Sequence, residues 1–167
     1  MKKTFAFTSL AALAVAGAVS FTTLSAAQGT DDQPAVADAE TAVAVDPSKE
    51  ITIWRDPGCG CCDAYADYLE AEGYQVTRID DRDFAKTSVS VGVPEEGLGC
   101  HLAKIGGYYV SGLVPAEILE RLVTERPDID GITLPGMPQN APGMAGKSGT
   151  LKTYAFDDGD VSVYSNE

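Results

Sequence analysis

Basic residues are scarce in this chain: 12 Lys and Arg stand against 25 Asp and Glu, a formal net charge of −13 over 167 residues. A surface that acidic repels phosphate, which argues against nucleic acid and anionic lipid as partners. Long apolar runs are missing too. The one hydrophobic stretch, Phe5 to Val19, is short for spanning a bilayer, Thr8, Ser9 and Gly17 dilute it, and no second such segment follows. Lys2 and Lys3 precede it and Ser25-Ala26-Ala27 follow it. That is the layout of a secretory signal cleaved before Gln28. No cysteine lies near the cleavage point to carry a lipid. The expectation is an exported, periplasmic protein with no membrane anchor after cleavage. Loss of Lys2 and Lys3 deepens the charge to −15 on the remaining 140 residues.

Aromatic residues are absent from residues 28–49, "QGTDDQPAVADAETAVAVDPSK", which also lack a sustained helical or strand period. This stretch reads as an acidic disordered linker. Residues 50–167 then have the size of one small domain with one modest core, and no solenoid-type repeat divides them.

Within that domain the apolar stretch 51–55 reads as a strand, broken by Asp56-Pro57-Gly58. Ala64, Tyr65, Tyr68 and Leu69 then recur at helical spacing, and Gly73 can close the helix. Tyr74 to Ile79 alternates as a second strand, and Asp80 or Asp81 can cap a short helix ending near Val91-Gly92-Val93-Pro94. Gly106-Gly107, flanked by Leu102–Ile105 and Tyr108–Ser111, has the composition of a two-residue hairpin turn. Pro115 opens a helix with Ile118, Leu119 and Leu122 on its apolar face, ending before Pro127. The order is an α/β, β-α-β-α-β-β-α core of the thioredoxin-like kind. "GITLPGMPQNAPGMAG" follows as an irregular Gly/Pro/Met segment. Lys152–Phe156 and Val161–Tyr164, around Asp157-Asp158-Gly159-Asp160, form a final β-hairpin. Tyr65, Tyr68, Tyr108 and Tyr109 read as core and rim aromatics.

Cysteine is rare, yet three of the four crowd into "DPGCGCCDAY" as Cys59, Cys61 and Cys62. They fall at a strand-to-helix turn, where unpaired helix amides and the helix dipole stabilise a thiolate. Cys59 and Cys62 have the spacing of a redox Cys-x-x-Cys pair. In thioredoxin-like folds the loop before the hairpin packs against that turn and normally presents a cis-proline. Here the position reads Gly99-Cys100-His101. A soft ligand thus stands where a redox member of the fold keeps proline, so Cys59, Cys61, Cys62, Cys100 and His101 should converge. The adjacent pair Cys61-Cys62 is poorly shaped for an unstrained disulfide. Sulfurs splayed around one turn suit bridging thiolates around more than one ion, and Cu(I) accepts two or three sulfur ligands.

The strand followed by "DPGCGCC", then "GCHLAKIGGYYVSGLVP", "AEILERLVTERPD" and "GITLPGMP...APGM", resembles the DUF411 family of small exported CopG-like proteins associated with copper resistance. The likeness covers about residues 50–147. It implies a thioredoxin-like fold and copper binding through elements that fall here on Cys59, Cys61, Cys62, Cys100 and His101. Leu102 departs from the small polar residue, often threonine, expected after the Cys-His pair, which puts the surroundings of the ligands in question.

Met137 and Met144 repeat a Pro-Gly-Met pattern and are the only methionines after the signal. Their thioethers bind Cu(I) without losing a proton, so both are candidate metal ligands; packing of the loop on the domain is the alternative. The expected function is sequestration or carriage of Cu(I), with several ions held in a thiolate cluster and exchanged with copper-efflux or other periplasmic copper proteins. Three alternatives compete with it. One is a thiol–disulfide oxidoreductase in which Cys59 attacks and Cys62 resolves, with or without coupling to copper redox state. The second is a closed tetrahedral zinc site, and the third is a pair of structural disulfides.

Overall fold

Asp56 ends the first strand by offering two acceptors to the turn that follows. Its carbonyl accepts from the Cys59 amide at 3.0 Å, and its side-chain Oδ1 accepts from the Gly58 amide at 2.8 Å. The chain therefore stops extending and re-enters as a helix. The computed structural model describes residues 46–167, so the expected signal peptide and most of the expected linker lie outside the described residues. Pro47–Lys49 at the linker's end forms a single 3-10 turn, capped by the Asp46 side chain.

The elements are β1 (Glu50–Arg55), α1 (Gly60–Ala71), β2 (Gln75–Asp80), α2 (Phe84–Ser90), β3 (His101–Ile105), β4 (Tyr108–Ser111), α3 (Ala116–Glu125), β5 (Gly131–Thr133), β6 (Lys152–Asp157) and β7 (Asp160–Asn166). Through α3 this is the β-α-β-α-β-β-α order read from the sequence. All seven strands join one mixed sheet in the order β2-β1-β3-β4-β5-β6-β7. β1 runs parallel to β2 and antiparallel to β3, with Arg55 opposite His101. The β3–β4 hairpin turns at Gly106-Gly107, both at positive φ, as a two-residue turn requires.

One local expectation is corrected and another is sharpened. The residue before α2 is Asp83, while Asp81 braces the turn ahead by accepting from the Asp83 amide and the Thr87 hydroxyl. The segment expected to be irregular begins with β5, whose three residues pair parallel with β4 and antiparallel with β6. Three residues are too few to show alternation, and all three are buried, so no exposed polar position marked the strand. β5 joins the terminal hairpin to the main sheet.

Strand alternation sorts the core into two faces. Ile51, Ile53, Ala103, Ile105 and Val110 meet Tyr65 and Leu69 of α1 and Ile118, Leu119 and Leu122 of α3 in the main cluster. Each fully buried aliphatic side chain there contributes about 1.5–3 kcal/mol. Leu102 falls in a separate cluster with Val93 and Phe156. It therefore sits apart from the core that receives the first turns of α1.

Candidate metal centre

α1 starts without a side-chain cap. Cys59 precedes it, and its carbonyl accepts from the amides of Cys62 at 3.1 Å and Asp63 at 3.2 Å. The other first-turn amides have no intrahelical partner, which leaves a positive helix end under the three cysteines. Cys62 is fully buried, whereas Cys59 and Cys61 are half-buried. Cys59 and Cys62 are joined as a disulfide with Cα atoms 5.3 Å apart, and Cys61 and Cys100 are free.

Cys100 is delivered by the backbone. The Gly99 amide donates to the buried Ser111 hydroxyl at 2.9 Å, and the Gly112 amide donates to the His101 carbonyl at 3.2 Å. The Cys100 carbonyl then lies 3.2 Å from Cys62 Sγ. Next to it the Leu134 amide donates to the Ser111 carbonyl and the Gly136 amide to the Leu98 carbonyl, each at 2.9 Å. The chain after β5 is thereby tied beside the approach to β3, and Met137 is the next residue.

The outcome is one sulfur cluster. The Sγ atoms of Cys59, Cys61, Cys62 and Cys100 all lie within 4.8 Å of one another. Cys61 Sγ is 3.4 Å from Cys59 Sγ and 3.8 Å from Met137 Sδ. Met137 is 54% exposed, at the mouth of the cluster. Met144 is partly buried against the main core, as Cys100 is. The seven-residue spacing made the two methionines look equivalent, but Met137 is exposed beside Cys61 whereas Met144 is partly buried.

His101 opens β3 and is fully buried, with Nδ1 3.4 Å from Cys100 Sγ and its ring 4.9 Å from that of Tyr65. Its Nε2 has no hydrogen-bond partner among the described residues. Burial pushes its pKa down to about 3, so the imidazole is neutral. Burial, and then the neighbouring Cys61, push the Cys100 thiol up to about 12. Deprotonating Cys100 in the metal-free protein is therefore costly, and a cation beside it would offset that cost.

The sequence reading missed Arg55. Its guanidinium, only 13% exposed, bridges Asp63 in the first turn of α1 at 2.9 Å and Asp80 at the end of β2 at 3.1 Å, and donates to the Asp56 carbonyl. The signal was available as a lone cation ending an apolar strand, directly before the cysteine turn. Ser111 and Thr133 carried no such signal, since both act on backbone groups distant in sequence.

Four cysteine sulfurs with a thioether at the rim form a soft donor set. With the thiols free it suits a soft metal ion; with two of them joined, the disulfide can accept two electrons.

The sequence profile of DUF411, described as a protein of unknown function, matches residues 98–144. That stretch holds Cys100, His101, Met137 and Met144, while the cysteine triplet lies upstream of it. No curated protein matches the chain. Among solved structures the chain is similar to copper resistance protein CopG in two forms. Form 2 is 34% identical with a TM-score of 0.64, and the match covers 71% of this chain and 97% of that one. Form 1 is also 34% identical, with a TM-score of 0.63 and coverage of 71% and 96%.

Proposed function

The chain belongs to the DUF411 family of CopG-like proteins, and from that premise we propose that it is an exported protein that sequesters or carries Cu(I) in a multinuclear thiolate cluster. The observation that carries this reading is the approach of four Sγ atoms to within 4.8 Å of one another. At that spacing, sulfurs with metal–sulfur bonds of about 2.3 Å can share ions. The ligands are Cys59, Cys61, Cys62 and Cys100, with His101 supplying a neutral imidazole beside Cys100 and Met137 an outer thioether. The thioether favours Cu(I) over zinc, because zinc sites draw on thiolate, imidazole and carboxylate. Met144, partly buried against the main core, is the second candidate thioether. The acidic surface suits attraction of cations, and the exposed Met137 and Cys61 suit exchange with copper-efflux or other copper proteins of the periplasm.

Anaerobic Cu(I) titration of the reduced protein, with the ratio read by mass spectrometry, tests it. The wild type should take up more than one ion per chain, and Cys100→Ser and His101→Ala should take up fewer or hold them less tightly. Absence of tight Cu(I) uptake, or uptake indifferent to serine at Cys59, Cys62 and Cys100, would sink the reading. A site that kept zinc against stoichiometric Cu(I) would replace copper with zinc.

The Cys59–Cys62 disulfide favours a second reading, a thiol–disulfide oxidoreductase with a thioredoxin-like turn. Cys59, the more accessible of the pair, attacks a substrate disulfide, and Cys62 releases the reduced product as the internal disulfide closes. Copper coupling also balances: two Cu(I) give two electrons to the disulfide, leaving two thiolates and two Cu(II). Metal-free turnover that dies with Cys59→Ser but survives Cys100→Ser distinguishes the enzyme from the carrier.

A further inference from the structure

The Cys59–Cys62 bond takes two sulfurs out of the donor set, but the donors that remain are not scattered. Cys61 and Cys100 are both free thiols, and their Sγ atoms lie within the 4.8 Å that bounds the cluster. Met137 Sδ stands 3.8 Å from Cys61 Sγ. These three sulfurs come from three segments: the first turn of α1, the approach to β3 and the loop after β5. Sulfurs held about 2.3 Å from one ion in a trigonal plane lie roughly 4 Å apart. The Cys61–Met137 separation matches that requirement and Cys100 Sγ lies within 4.8 Å of Cys61 Sγ, which makes Cys61 the shared neighbour of the other two.

On the reading that this is a copper protein, we infer that the disulfide-bonded form keeps a single-ion Cu(I) site made of Cys61, Cys100 and Met137. The Cys59–Cys62 bond then sets capacity. While it is closed, one ion is held by two thiolates and a thioether, and it arrives from the solvent side, where Met137 is exposed. When a dithiol donor transfers two electrons and two protons to the bond, Cys59 and Cys62 become thiols and the donor leaves as its own disulfide. Those two sulfurs then join the site and further ions can be held. Met137 contributes most in the closed form, where sulfur is short, and less in the open form, where four cysteines are available.

The test compares two proteins: wild type with the Cys59–Cys62 bond closed, verified by alkylation of Cys61 and Cys100 alone, and the Cys59→Ser/Cys62→Ser double variant, in which no disulfide can reopen. Both are titrated anaerobically with Cu(I) against a chromogenic Cu(I) chelator. Each should bind one Cu(I) per chain, and in each a further Cys61→Ser or Cys100→Ser change should abolish binding. Met137→Leu should weaken binding by about tenfold in these forms and by much less in the fully reduced wild type. X-ray absorption at the copper edge should count three sulfur neighbours, falling to two in Met137→Leu. If the reduced wild type takes up several ions while the disulfide form takes none, this inference fails and the copper reading stands. If neither form binds Cu(I), both fail. Binding by the closed wild type but not by the double variant would show that the ion needs Cys59 or Cys62, and would overturn the three-sulfur site, as would an unchanged affinity in Met137→Leu.

Discussion

Gly99 and Gly112 approach so closely that a methyl group added to Gly99 would fall on the Gly112 Cα. This backbone contact, with the Gly99 amide bound to Ser111, seats Cys100 over the cysteine turn. Gly99→Ala is expected to destabilise the protein by about 1–3 kcal/mol and to lower its Cu(I) capacity by moving Cys100 away. Gly60 provides the control: it lies between Cys59 and Cys61, yet a methyl there would meet nothing within 4 Å. Gly60→Ala should preserve copper uptake and raise stability by up to about 1 kcal/mol, through helix propensity and a stiffer unfolded chain. Urea midpoints and Cu(I) stoichiometry for the two variants check both halves.

Gly143 holds the methionine loop down. It has φ +83°, and a Cβ there would stand 2.6 Å from the Cys61 carbonyl and 2.9 Å from the Tyr65 backbone nitrogen. Gly143→Ala should lift the loop from the first turn of α1. Limited proteolysis then cuts between residues 134 and 150 several times faster than in wild type, and the Met137-dependent part of the Cu(I) affinity disappears. A variant cleaved at the wild-type rate would show that this contact does not anchor the loop.

What could be read from the residues follows the range of the interactions involved. β1 to α3 were legible because each carries its own period and punctuation, such as Asp56-Pro57-Gly58 or Gly106-Gly107. The convergence of Cys100 on the triplet was legible only through the expected layout, since 38 residues separate it from Cys62. β5 was hidden because its three buried residues show neither alternation nor an exposed polar face. Met137 and Met144 could not be told apart, because their surroundings depend on where the Gly99–Gly136 bridge pins the chain. Arg55 escaped for a related reason: its carboxylate partners Asp63 and Asp80 come from two different elements.

Alkaline stability should depend on Tyr74. Its ring is buried, its hydroxyl donates to the Ala116 carbonyl at 3.1 Å, and burial followed by Glu120 raises its pKa to about 12. The unfolded chain ionises this phenol near pH 10 while the folded one keeps it neutral. Its contribution is thus complete below about pH 10 and is lost as the pH climbs from there through about 12. Tyr74→Phe should cost about 1 kcal/mol at neutral pH by removing the hydrogen bond and should flatten the decline above pH 10. Urea midpoints between pH 8 and 11.5 give the comparison, and a decline equally steep in both proteins would assign the alkaline loss to other groups.

Arg55 joins three parts of the chain that the copper site needs in register. Through Asp63 it holds the first turn of α1, through Asp80 the end of β2, and through the Asp56 carbonyl the turn between them. Arg55→Ala should lower the stability of the metal-free protein by about 1–3 kcal/mol, the range for charged hydrogen bonds in a half-buried setting. Arg55→Lys should recover less than half of that, because an ammonium group lacks the planar fork needed to reach all three acceptors. Bound Cu(I) would tie the same turn to Cys100 by a different route, since its ligands come from both segments. Loading should therefore narrow the gap in melting temperature between wild type and Arg55→Ala, as a ligand that binds only the folded form also selects the ordered turn. Calorimetry of the two proteins with and without Cu(I) reads this directly. A gap of the same width in both states would mean that Arg55 and the metal stabilise independent parts of the molecule.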